Sequence, residues 1–206
     1  EALSVRASAL ADLDRPHVLA GRLADLPALL GTADAPRFDA AVGRNCLLRE
    51  PDKAGSLAAV ASALRPGGRL CVAESVPARG QRLSDLLDLA SLEPETVARL
   101  HQAEEEVYRS PGDPLTGWDE QSLAVDAAAA GFAVTGADLE TAEGPRFVRE
   151  EDLERWFAGG WGDALARALS AAELDGVRRI ARAQLAGREV SWRTATLFLT
   201  AEKPGG

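Results

Sequence analysis

From Phe38 to Glu74 the chain changes texture three times. Phe38-Asp-Ala-Ala-Val42 is a nearly unbroken apolar run, as a strand covered on both faces of a parallel sheet requires. Leu57, Val60, Ala61 and Leu64 then recur at three and four, which predicts a helix over Lys53–Leu64 with one face on the sheet. Pro66-Gly67-Gly68 stops that helix and turns the chain into a second apolar strand, Arg69–Ala73. This is the pattern of a β-α-β unit, and the rest of the chain is placed around it.

Upstream, residues 1–11 are helix formers with apolar positions on one side, ended by Arg15-Pro16. His17–Ala20 is a short strand candidate, followed by a loop over Gly21–Pro27, an apolar turn at Ala28–Leu30 and a loop to Arg37. Downstream, Leu83, Leu86, Leu87 and Leu89 predict a helix over Gln81–Ala90. Pro94 opens a longer one over Glu95–Arg109, whose Glu104-Glu105-Glu106 run reads as a solvated face. Asp119 is placed to cap a helix over Glu120–Ala130, with Trp118 stapled on Leu123 and Gly131 closing it. Strands are expected at Phe132–Leu139, Arg146–Val148 and Val190–Thr200, the first and last of these paired antiparallel. Between them lie two short helices around Trp156 and Leu165, then a helix from the capping box Ser170–Glu173 to Ala186.

Composition narrows this picture. The 206 residues suffice for one large α/β domain, read as 1–206, with its own core. A formal net charge of −9 argues against a broad nucleic-acid surface. No apolar run reaches the length of a membrane span, and a cytoplasmic location is expected. The chain contains no Met, so it reads as a piece of a longer polypeptide. Cys46 and Cys71 read as small core residues, and with only His17 and His101 beside them no metal site is expected.

No serine sits in a Gly-x-Ser-x-Gly elbow, which sets aside a hydrolase triad. Glu74 reads as a loop carboxylate in solvent, with a general-base role as the alternative. Arg178, Arg179, Arg182 and Arg188 read as a solvated helix side, and the four Trp as core.

Phe38–Val42 followed by Leu64-Arg-Pro-Gly-Gly-Arg-Leu70 resembles strands four and five of class I S-adenosylmethionine-dependent methyltransferases. Ala130–Val134 resembles that family's sixth strand, and Val190–Lys203 its antiparallel seventh, inserted between five and six. Gly21-x-x-x-x-Leu-Pro27 resembles the loop after its third strand. The resemblance implies a Rossmann-like α/β sheet that lacks strands one and two and carries an antiparallel carboxyl-terminal strand at the six/seven edge. With those strands missing, His17–Ala20 is expected to pair directly with Phe38–Val42.

The departures bear on function. The Gly-rich loop that grips the cofactor in the family is absent, as is the acid that holds the ribose. Arg22 stands where the family carries an adenine-binding Asp, with Asp25 three residues on. The resemblance leaves Gly21, Arg22, Asp25, Gly43, Arg44 and Asn45 as vestigial cofactor-site candidates. Arg44 and Asn45, at a strand's carboxyl end, read first as groups bonding nearby loop backbone, with a place near the transferred methyl and substrate as the alternative the resemblance implies.

Two readings follow. One is a degenerate, non-catalytic module that binds no cofactor alone and acts as an accessory to an upstream domain of the same polypeptide. Gly43–Lys53, Glu74–Pro77 and Gln81–Leu83 resemble the domain that follows RarA-type AAA ATPases in bacterial fusion proteins, which would make that upstream domain a recombination factor. The other is a small-molecule methyltransferase, using S-adenosylmethionine, whose cofactor loop lies upstream of Glu1. A homodimer stays open under either.

Overall fold

A computed structural model describes residues 18–31, 38–110 and 112–205. Their element order is α1 (Leu26–Leu30), β1 (Phe38–Arg44), α2 (Lys53–Ala63), β2 (Leu64–Ser75), α3 (Pro94–Tyr108), α4 (Glu120–Ala129), β3 (Ala133–Val148), α5 (Glu150–Phe157), α6 (Gly160–Ala168), α7 (Ala171–Leu185) and β4 (Arg188–Glu202). The four strands form one mixed sheet in the order β1-β2-β4-β3. β1 and β2 run parallel, and β4 lies antiparallel to both β2 and β3. The expected insertion of the last strand between its two neighbours is therefore observed.

One sheet face carries the first core. Leu57, Val60 and Leu64 from α2 and its end, with Leu123 and Ala127 from α4, bury against Leu70, Val72, Leu197 and Leu199. Asp52 caps α2 by accepting the Gly55 amide at 2.8 Å. Lys203 closes the helix at its other end, its ammonium donating to the Ala61 and Leu64 carbonyls at 2.8 and 2.7 Å, where a cation suits the helix dipole. A second core lies between α3, α6 and α7, around Leu100, Trp161, Leu165 and Val177.

Several expectations are corrected. Pro66-Gly67-Gly68 is not a free turn but an irregular stretch inside β2. Gly67 sits at φ +76°, and the Gly67 amide and Gly68 carbonyl both bond Lys203 backbone at 2.8 Å. Residues 140–145 do not interrupt a strand: β3 and β4 pair continuously from Val148↔Arg188 to Ala133↔Glu202, with one shift at Val134/Gly136. Gln81–Ala90 holds only a single 3-10 turn at Ser84–Leu86. Its amides are taken sideways, Leu83 and Ser84 by the Glu104 carboxylate at 2.6 and 3.1 Å and Asp88 by Gln184 at 2.7 Å. Glu104 is accordingly buried rather than solvated, on the same α3 face as Leu100 and Ala103.

Val18–Ala20 is not a strand, and among the described residues β1 pairs only with β2. The expected compacted sheet is thus not formed by these residues; His17 and residues 1–16 lie outside the described residues. Among the described residues β1 is an edge strand although its sequence is that of an interior one, and Val42 is 83% exposed.

The exposure has a definite place. Across the sheet, Arg44, Ala73, Phe198 and Asp138 are successive neighbours in one row, and Val42, Cys71, Thr200 and Gly136 in the next. Both rows point away from α2 and α4, because residues alternate between faces and the intervening Val72 and Leu199 are buried with those helices. Farther along β4, on the same alternation, Trp192 is stacked on Trp156 of α5. The β1–β2 half of this second face has no helix on it among the described residues.

Candidate functional site

The carboxyl ends of β1 and β2 are where a sheet of this kind offers ligands its edge. The chain leaves β1 through Asn45 at φ +50°, a left-handed conformation that asparagine tolerates better than most residues. The Asn45 amide donates to the Ala73 carbonyl at 2.9 Å, and its Oδ1 accepts the Ser75 amide at 2.8 Å. Asn45 therefore ties the ends of the two strands together, the backbone-bonding role open to it from the sequence.

The next two residues fold down onto the sheet. The Cys46 and Leu47 amides donate to Glu74 Oε1 at 2.8 and 3.2 Å, and the Cys46 thiol donates to the same oxygen at 3.2 Å. Glu74 is fully buried, which corrects its reading as a loop carboxylate in solvent. Its Oε2 has no hydrogen-bond partner among the described residues. Gly43 permits this closure: a Cβ there would lie 2.5 Å from Cys46 Sγ. Burial, the neighbouring Glu74 charge and the hydrogen bond to it push the Cys46 thiol up to about 12. Cys46 is thus a donor locked in its thiol form and not a nucleophile near neutral pH.

The remaining candidates are engaged elsewhere. Arg22 forms an ion pair with Glu50 at 3.1 Å, and Glu50 also accepts the Ser56 hydroxyl at 3.2 Å. Gly21 packs on Leu29, whose Cδ1 would lie 2.5 Å from a Cβ. Asp25 ends a 3-10 turn at Leu23–Asp25 and makes no capping bond to α1. Arg44 points from the end of β1 on the open face and is exposed. Gly43 and Asn45 are brought together with Glu74 and Cys46, while Arg44 lies on the opposite face of the sheet and Gly21, Arg22 and Asp25 stand apart on the segment packed against α2.

Sequence reasoning missed Lys53, which is 7% exposed. Its ammonium donates to the Glu50 and Pro114 carbonyls at 3.0 and 2.8 Å and lies 5.2 Å from the Trp118 ring centroid. Burial lowers its pKa against the opposing pull of Asp126, Glu74, Glu50 and Asp113. Sequence reasoning also missed Tyr108, whose ring carries the Arg82 guanidinium at 3.8 Å. Burial and the Glu104 charge raise its pKa. No periodic signal marks either residue, since each is defined by a loop packed over it.

The space at the β1 edge is small. An apolar cavity of about 90 Å³ lies among Leu23, Val42, Cys46, Leu57 and Leu70, far below the 300–1,000 Å³ or so that drug-sized ligands occupy. Clefts of about 320 and 200 Å³ flank Tyr108 beyond the end of β2. A cleft of about 400 Å³ lies between α5 and α7, floored by Leu153 and Phe157, and its Arg178 and Arg182 pair with Asp175 and Glu150. Among the described residues no three His, Cys, Asp or Glu side chains form a metal cluster, and no helix is long and apolar enough to cross a membrane.

No protein-family model matches the chain, and no curated relative does. Among solved structures it is similar to a methyltransferase candidate of Bacillus halodurans, at 14% identity and a TM-score of 0.45, over 89% of this chain and 76% of that one. It is similar to a sarcosine dimethylglycine methyltransferase candidate of Galdieria sulphuraria, at 14% identity and a TM-score of 0.44, over 97% and 63%. It is also similar to a geranyl diphosphate methyltransferase solved with S-adenosylmethionine, at 12% identity and a TM-score of 0.44, over 97% and 62%. The chain spans less than two thirds of the latter two proteins.

Proposed function

We propose that this chain is a methyltransferase-like α/β domain that does not catalyse and serves as an accessory domain of a larger polypeptide. The single observation behind this reading is the Glu74 closure. A carboxylate at a strand's carboxyl end would face ligand if the edge worked as a site; here it is fully buried under Cys46 and Leu47. Arg22 adds to it, because its charge is paired with Glu50 across a loop instead of being replaced by an acid that an adenine could use. The likeness of Gly43–Lys53 to the domain after RarA-type ATPases offers a recombination-type AAA ATPase as the attached partner.

The clefts beside Tyr108 favour a second reading, a small-molecule methyltransferase completed by residues upstream of Glu1. Calorimetric titration with S-adenosylmethionine and S-adenosylhomocysteine separates the two. The accessory reading expects no heat of binding from this chain or from a longer polypeptide that includes the upstream segment. Micromolar binding by either one overturns it.

A further inference from the structure

Beyond the end of β2 the chain is pinned at two buried residues, Val76 and Leu83, 1% and 7% exposed. The strap between them, residues 77–82, contains no buried residue, and its small Ala78 only partly packs on the first core. Polar contacts hold it instead. Arg79 donates to both Glu120 oxygens at the start of α4, through Nε at 3.1 Å and Nη2 at 2.8 Å. Arg82, stacked on the Tyr108 ring of α3, pairs with Glu105 and donates to the Ala78 carbonyl at 2.9 Å. Gln81 meets β4 twice: its amide donates to the Arg193 carbonyl at 3.0 Å, and its Oε1 accepts the Arg193 amide at 3.2 Å.

The strap also rims both clefts beside Tyr108. Ala78 borders the one that Trp118 lines, and Pro77, Gly80 and Gln81 border the one that Trp192 lines. We propose that residues 77–82 form a lid over Tyr108, held shut by the Arg79–Glu120 and Arg82–Glu105 latches and opening between Val76 and Leu83 while the sheet and helices stay folded. Segments with few buried apolar side chains open at lower cost than the core around them. The lid rests on neither reading of function, since it concerns access to the clefts and not what happens in them.

The latches make opening depend on salt. The Arg79 side chain is 46% exposed, so its pair with Glu120 is screened as ionic strength rises. Low salt keeps the strap down, and high salt frees it.

Native-state hydrogen exchange read by NMR tests the lid. The Gln81 amide is expected to exchange about tenfold or more faster than the Val76 and Leu83 amides. Raising salt from about 0.05 to about 0.5 M should speed Gln81 about twofold to fivefold, as the loss of an exposed ion pair would. Arg79→Gln and Glu120→Gln should each have that effect at low salt, and the double variant should be no faster than either single. Val76 and Leu83 should keep their rates throughout, and thermal melts establish that each variant folds. Tyr108 is the chain's one tyrosine, so nitration by tetranitromethane reports its exposure directly. Measured against the urea-unfolded chain at the same salt, it should rise in step with Gln81. Gln81 exchanging in step with Val76 and Leu83 overturns the proposal. So do latch variants that leave Gln81 unchanged, and so does a faster Gln81 without faster nitration of Tyr108.

Discussion

Glu74 and Cys46 are joined twice through one oxygen: Glu74 Oε1 accepts both the Cys46 amide, at 2.8 Å, and the Cys46 thiol, at 3.2 Å. A fully buried carboxylate so used closes the loop after β1 instead of holding anything that enters from outside. Replacing it with Leu leaves the amides of Cys46 and Leu47 without their acceptor. At about 1–3 kcal/mol for each buried group left unpaired, Glu74→Leu is expected to cost about 2–4 kcal/mol in urea unfolding, and Glu74→Gln clearly less. Equal losses in the two variants would mean that the side chain fills space without bonding.

The same contact sets the reactivity of the thiol. In the folded protein the Cys46 thiol ionises at about 12, raised from 9.0. Its contribution to stability is fully present below pH 9 and is lost as pH rises from there through 12, because the unfolded chain gives up its proton first. Iodoacetamide at pH 8.5 should therefore modify Cys46 far more slowly in the native protein than in urea, with peptide mass mapping as the readout. Native labelling as fast as unfolded labelling would contradict the closed loop.

Glu104 performs for the 81–92 segment what Glu74 performs for the loop after β1. Its carboxylate accepts the amides of Leu83 and Ser84 and the Ser84 hydroxyl. Glu104→Ala is expected to speed hydrogen exchange at those amides by an order of magnitude or more, while β3 and β4 keep their protection. Unchanged exchange at Leu83 and Ser84 would show that the segment is held by its leucines alone.

Glu173 caps α7 and bridges it to α3. It accepts from the Ser170 amide and hydroxyl and from the Thr96 hydroxyl, and it pairs with Arg99. The Thr96 hydrogen bond, followed by those from Ser170, holds its carboxyl down at about 2, below the usual 4.5. A depressed carboxyl contributes stability above pH 4.5 that is lost as pH falls toward 2. Thermal melts should show the wild type above Glu173→Gln at pH 6, with the gap closing between pH 4.5 and 2. A gap independent of pH would assign the effect to packing.

The sequence made some of this legible and hid the rest for physical reasons. Helix ends were readable because caps are local chemistry: Asp119 and Ser170 each bond an amide three residues on. Strand order was readable through a family likeness. The burial of Glu74 and Glu104 was not, since each is set by amides 20 or more residues away in the chain. A partial signal existed for Glu104, which follows Leu100 by one helical turn on an apolar face. The exposure of Val42 ran the other way: its run has the composition of a strand between neighbours, and composition does not say whether the neighbour is there.

The position of β4 has a consequence for how the protein is made. This last strand, Arg188–Glu202, is not at the rim of the sheet but between β2 and β3. A chain emerging from the ribosome presents β2 with one side open until Arg188–Glu202 has been synthesised. The core of α2, α4 and β2 cannot close before β4 has emerged, because Leu197 and Leu199 are among its central residues. A nascent chain stalled before Arg188 would expose the interior of the sheet to chaperones and proteases.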